Sequence, residues 1–251
     1  MFITGASSGL GAALARYYAG RGAVLGLAAR RGEALAALAA ELPAACFTYP
    51  LDVADAPALA AAGADFIRRA GLPDIVIANA GISLGTLTEE ADDFPAFARV
   101  LQTNVLGMVH TFHPFVAEMK LARRGRLVGI ASVAGIRGMP GAGAYCASKA
   151  ATIAYLESLR VELRGSGVAV SSILPGYIAT PMTEVNTYPM PFLLSAAAAA
   201  QRIVRLIDGG ASYAVLPWQM AMVAKLLRLL PNPLFDRLFV RAGRKSRQLP
   251  L

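Results

Sequence analysis

The sequence predicts a three-layer α/β fold: a doubly wound parallel sheet of about seven strands with helices on both faces. Three observations carry this prediction. Short apolar or β-branched runs alternate strictly with longer, alanine-rich runs of helical character. The strand runs are continuously apolar rather than alternating, as strands buried on both faces require. The chain has 251 residues, 56% apolar and 16% charged, enough to bury one large core and too apolar for a disordered chain.

In order, the strands read as 2–4, 23–29, 46–52, 74–81, 126–132, 168–176 and 212–217. Helices are expected near 9–20, 31–42, 54–70, 91–122, 143–164 and 195–209. The alanine tracts at 54–64 and 196–200 read as helix, not linker. No linker or internal repeat interrupts residues 1–217, which form the expected cofactor-binding and catalytic domain with a lid at about 177–194; residues 218–251 form a basic, amphipathic extension. The first strand belongs at the sheet centre but is short, so native residues upstream of Met1 are expected, and mass spectrometry of the natural protein tests this.

Charge and cysteine content narrow the function classes. Of the net +8, Lys225, Arg228, Arg237, Arg241, Arg244, Lys245 and Arg247, with Asp236 the only acid among them, contribute +6. The rest of the chain is nearly neutral, which argues against a nucleic-acid binder. Cys46 and Cys146 have neither paired spacing nor metal-ligand companions, and no signal peptide is visible, so a reducing, cytoplasmic setting is expected. His110 and His113 have a spacing that could bind a metal on a helix, but no acid or cysteine cluster accompanies them.

"TGASSGLG" (Thr4 to Gly11) follows the first strand and opens a helix, the order in which glycines at 5, 9 and 11 let backbone N–H groups approach a pyrophosphate at the helix N-terminus. Ser7, Ser8 and Leu10 complete the loop. Cofactor choice depends on the end of the second strand, where an acid would bond a ribose 2′-hydroxyl. Here stand Arg30 and Arg31, two cations at a helix start that oppose its dipole unless an anion such as a 2′-phosphate joins them. NADP(H) is expected, with NAD(H) as the alternative.

"YCASK" places Tyr145 and Lys149 four residues apart, on one face of the expected helix. A free phenol titrates near ~10, and an ammonium at ~4 Å in an effective dielectric of ~20 would stabilise the phenolate by roughly 4 kcal/mol, about three pKa units. Tyr145 is therefore a candidate acid/base.

Together with "LDV" (51–53), "NAG" (79–81), "QTNVLG" (102–107), "IASVAG" (130–135) and "PGYIATPM" (175–182), these motifs resemble the short-chain dehydrogenase/reductase family over residues 1 to about 217. The resemblance implies a Rossmann-type fold and a homodimer or homotetramer. It implies that Asp52 and Val53 flank the adenine and that Asn79, Ala80 and Gly81 support the cofactor-binding edge. Pro175, Gly176, Ile178 and Thr180 would lie along the nicotinamide. Ser132 would polarise the substrate oxygen, and Tyr145 would exchange its proton. Lys149 would lower the tyrosine pKa and bond the ribose, and Asn104 would bend its helix to hold a water. One departure touches the cofactor: Ser8 stands where NADPH-dependent members often carry a basic residue.

The apolar segment 182–194, with Pro181, Pro189 and Pro191 nearby, predicts an irregular lid over a hydrophobic carbonyl or alcohol substrate. The extension reads as two apolar, basic helices separated by Pro231 and Pro233, which rest either on anionic membrane or on a neighbouring subunit. The competing function is a cofactor-binding interaction or redox-sensor protein that works through this tail.

Overall fold

In a computed structural model, residues 1–247 are described; the last residues of the expected extension, 248–251, lie outside them. Seven strands form one parallel sheet: β1 (Phe2–Thr4), β2 (Leu25–Ala29), β3 (Cys46–Pro50), β4 (Ile75–Ala78), β5 (Arg126–Ile130), β6 (Ala169–Pro175) and β9 (Tyr213–Leu216). Their order is β3-β2-β1-β4-β5-β6-β9. The chain winds outward from β1 in one direction and then from β4 in the other, so the crevice between these strands is the topological switch point where such sheets bind ligands.

Successive strand residues face opposite layers, and the sequence supplies apolar side chains for both. Ile3, Leu27, Ile77, Val128 and Ile173 pack beneath α1 (Gly9–Ala19), α2 (Gly32–Glu41) and α8 (Ala196–Asp208). Phe2, Val76, Leu127 and Val170 face α3 (Ala56–Ala70), α5 (Gly107–Ala122) and α6 (Gly143–Glu162). The three-residue β1 is fully buried and pairs with β2 and β4, with Ile3 opposite both Leu27 and Ile77.

The sequence reading needs correction in three places. The single helix expected over 91–122 is a 3-10 turn (Ala91–Asp93), α4 (Phe94–Leu101), a π turn (Gln102–Leu106) and α5. The lid is more ordered than its prolines suggest. Its ends pair as parallel strands β7 (Ile178–Ala179) and β8 (Leu194–Ser195), and α7 (Pro181–Glu184) starts at Pro181, where a missing N–H is harmless. Finally, Pro233 does not separate helices but sits in the first turn of α10 (Asn232–Phe239), which follows α9 (Trp218–Leu229).

The extension is docked on the body. Met220, Ala224 and Phe235 are buried. Arg137, in the loop after β5, donates to the Leu230 carbonyl at 2.6 Å and stacks 3.9 Å from the Phe235 ring centroid. It thereby satisfies a carbonyl that the end of α9 leaves free.

Candidate active site

The β1–α1 loop owes its shape to two glycines. Gly5 has φ +66°, and a Cβ on it would lie 2.7 Å from Ala80 Cα. A Cβ on Gly11 would lie 2.2 Å from the Gly5 carbonyl oxygen. Asn79, at the end of β4, donates its side-chain amide to Thr4 O (3.1 Å) and Gly5 O (3.2 Å), tying the loop to the neighbouring strand. Gly9, Leu10 and Gly11 begin α1, so the loop presents a helix N-terminus.

Arg31 reaches across from the end of β2 and donates to Ser8 Oγ at 2.6 Å and Ser7 Oγ at 3.1 Å. The cation missing at position 8 is thus delivered from another strand. Arg30 is solvent-exposed beside it. At the end of β3, Asp52 accepts from Ala54 N at 2.9 Å, and buried Val53 presents its carbonyl 3.0 Å from His110 Nδ1. His113 is exposed.

Around the π turn, Asn104 is buried. Its Oδ1 accepts from Ile82 N at 2.8 Å, and its Nδ2 donates to Ile82 O at 3.0 Å and to Ser148 Oγ at 2.9 Å. Ser148 in turn donates to Tyr145 O at 2.7 Å, so the π turn is connected to the tyrosine's own helical turn. A Cβ on Gly81 would lie 3.2 Å from Asn104 Oδ1 and 3.7 Å from Lys149 Nζ, so the backbone here approaches Asn104 more closely than a larger residue easily allows.

Ser132 follows β5. Its Oγ accepts from Ala134 N at 3.2 Å, lies 3.4 Å from Pro175 O, and hydrogen-bonds to Tyr145. Burial raises the Tyr145 phenol above its usual value, with Ser132 acting in the opposite direction. Lys149 is buried and donates to Ile130 O at 2.8 Å; its ammonium is 5.8 Å from the Tyr145 ring centroid. Burial lowers it to about 8. Lys149 is held by a backbone carbonyl, and desolvation is the largest influence on the Tyr145 phenol.

Pro175 ends β6 and Gly176 follows it, Ile178 lies in β7, and Thr180 caps α7 by exchanging hydrogen bonds with Thr183. The expected cofactor and catalytic residues thus follow the carboxyl ends of β1 to β6 or lie on the helices and turns packed beside them. The glycine loop at the N-terminus of α1 and the Arg31 side chain beside Ser7 and Ser8 are groups that could hold a nicotinamide dinucleotide.

The short chain dehydrogenase family model matches residues 1–189. The chain belongs to the short-chain dehydrogenase/reductase family. As a member, it is an NAD(P)-dependent dehydrogenase acting on CH–OH/C=O groups. An uncharacterized oxidoreductase of Myxococcus xanthus is 40% identical over 237 residues, 93% of each chain. A short chain dehydrogenase from Burkholderia cenocepacia, solved in complex with NADP, superposes with a TM-score of 0.81 at 26% identity, covering 94% of this chain and 95% of that one. A 3-oxoacyl-[acyl-carrier protein] reductase from Brucella melitensis, solved with bound NAD, gives 0.73 at 29% identity, covering 86% and 88%.

Sequence reasoning missed how this dehydrogenase closes its crevice. Gly243 packs on Tyr188 of the lid, Arg244 lies against Gly141, and Ser246 O accepts from Gly85 N at 2.9 Å. Arg247 Nε donates to Asp93 Oδ2 at 3.0 Å. Residues 243–247 therefore strap the mouth of the site instead of extending the basic face. No local pattern signals this, because every partner is distant in sequence.

Proposed function

We propose that the protein is an NADPH-dependent carbonyl reductase of hydrophobic substrates. When bound, NADPH supplies the hydride. The substrate carbonyl oxygen meets the Ser132 hydroxyl and the Tyr145 phenol, donors aimed where negative charge grows as the carbon is reduced. Tyr145 gives its proton to that oxygen, so the product is the alcohol. Burial favours the protonated phenol, which suits donation at neutral pH. Lys149, fixed by Ile130 O, holds the ribose side of the crevice, and Asn104 positions the Tyr145 turn through Ser148.

The observation that carries the cofactor preference is the Arg31 guanidinium on Ser7 and Ser8. Titration with NADPH and with NADH, followed by nicotinamide fluorescence, is expected to show NADPH binding at least ~10-fold tighter. Equal affinities would overturn the preference. Cys46 and Cys146 are free thiols, consistent with work in the cytoplasm.

A second reading concerns location. On α9, Trp218, Met222, Leu226 and Leu229 recur at helical spacing on one exposed face, opposite buried Met220 and Ala224. Lys225 and Arg228 flank the stripe, and Leu234 and Leu238 continue it on α10 beside Arg237 and Arg241. Among the described residues no helix is long and apolar enough to cross a membrane. This combination suits the surface of an anionic bilayer. Flotation with phosphatidylglycerol vesicles is expected to carry the wild type but not Leu226→Glu. A chain that stays unbound and sediments as a dimer, with the dimer lost in Leu226→Glu, would assign the stripe to a second copy instead.

A further inference from the structure

Lys245 is unlike the other cations of the strap. Arg247 is paired with Asp93 and Glu90, and the Arg244 side chain packs on Gly141. The Lys245 ammonium points inward, 5.0 Å from the centroid of the Tyr145 ring, and among the described residues no carboxylate forms an ion pair with it. The ionisable groups beside it are the Tyr145 phenol and the buried Cys146 thiol, both pushed up by burial and neutral at pH 7. Burial lowers Lys245 itself to about 8.

A cation taken partly out of water without a counter-charge is unfavourable unless an anion arrives to share the site. The strap fixes where that anion would stand. Its backbone is tied to Gly85 at Ser246 and its side chains to Asp93 at Arg247, so the ammonium is held beside the proton donor rather than swinging free in solvent. The lid meets the strap at Tyr188, which packs on Gly243, and its segment 182–194 is predominantly apolar and aromatic with few charges.

Resting on the reductase reading above, we propose that Lys245 determines specificity by receiving the carboxylate of an apolar oxo or hydroxy acid whose carbonyl or hydroxyl meets Tyr145 and Ser132. The apolar substrate class then acquires one anionic group placed near the reacting carbon.

The test separates recognition from turnover. Octanoate and octanamide, identical in chain and different in charge, are titrated calorimetrically into the full chain with and without NADP+. The wild type is expected to bind octanoate at least ~10-fold more tightly than octanamide. Lys245→Met is expected to erase that preference and Lys245→Arg to keep it. Equal affinities in the wild type, a preference that survives Lys245→Met, or a parallel loss of both ligands in that variant would overturn the proposal; the last would make Lys245 a structural prop of the strap. The reductase reading fails separately, through absent NADPH-dependent turnover of both neutral and acidic ketones despite an intact octanoate preference.

Discussion

Tyr145 is subject to two opposed influences: burial holds its proton on, and the Ser132 hydrogen bond eases it off. Replacing it with phenylalanine keeps the ring and its packing but removes the proton donor. Tyr145→Phe is expected to bind NADPH normally and lose at least ~10²-fold in kcat, measured by single-turnover absorbance; near-normal turnover would remove the phenol from the reaction. Lys149 offers a test at the same scale. Its pKa is about 8 in the fold against an ordinary 10.5, so between those values the unfolded chain binds more protons and stability rises with pH. The penalty of burying the charge is fully present below about pH 8 and gone above 10.5. Lys149→Met should therefore unfold at higher denaturant than the wild type at pH 7, by up to ~3 kcal/mol less about 1 for the lost bond to Ile130 O. The gap should close towards pH 10.5; a gap that does not change with pH would refute the burial argument. Both residues were legible in the sequence as a pair four apart. The extent to which desolvation dominates both was not, because it depends on how deeply α6 sinks against β5.

Among the elements, the π turn at Gln102–Leu106 is the least foreseeable and among the most consequential. The run 91–122 has helical character throughout, and nothing in its composition marks where one extra residue is accommodated. The motif around Asn104 indicated a bend; the structure shows its form, with the Asn104 amide bonded to both backbone groups of Ile82. Asn104→Ala would leave the Ile82 N–H and carbonyl without these partners, an expected loss of about 1–3 kcal/mol in chemical denaturation. Because Ser148 and the Tyr145 turn depend on the same amide, kcat should fall while NADPH affinity stays within a few-fold. The phosphate loop is the contrasting case. Its glycines are local requirements of backbone conformation and close approach, at Gly5 and Gly11 respectively, and so could be read directly from the residue order.

For the whole molecule, the extension packs over the mouth of the crevice. Alpha helices α9 and α10 are secured by Arg137 and Phe235, after which the chain returns so that Arg247 meets Asp93, a buried carboxylate that also accepts from Leu87 N at 2.7 Å. Arg247→Gln should loosen this closure without unfolding the sheet. Hydrogen exchange at the Gly85 amide, which donates to Ser246 O, is expected to accelerate at least ~10-fold while the amides of β4 and β5 stay protected. Unchanged exchange at Gly85 would mean that the strap is held by its remaining contacts alone.

From the sequence by itself come the strand and helix order, the parallel sheet, the phosphate loop, the four residues Asn104, Ser132, Tyr145 and Lys149 as candidates, and the pair Arg30 and Arg31 at the end of the second strand. These are set by periodicity, backbone requirements and motifs a few residues long, so neighbouring positions suffice to read them. Only the tertiary structure decided that Arg31 reaches Ser7 and Ser8, that Lys149 bonds to Ile130 O, and that residues 243–247 roof the site. Each of these depends on where a long-range contact places a charge relative to water and to other charges. The basic tail shows the difference most clearly: its composition is the same whether it lies in solvent or over Tyr145, and the fold alone turns one of its lysines inward.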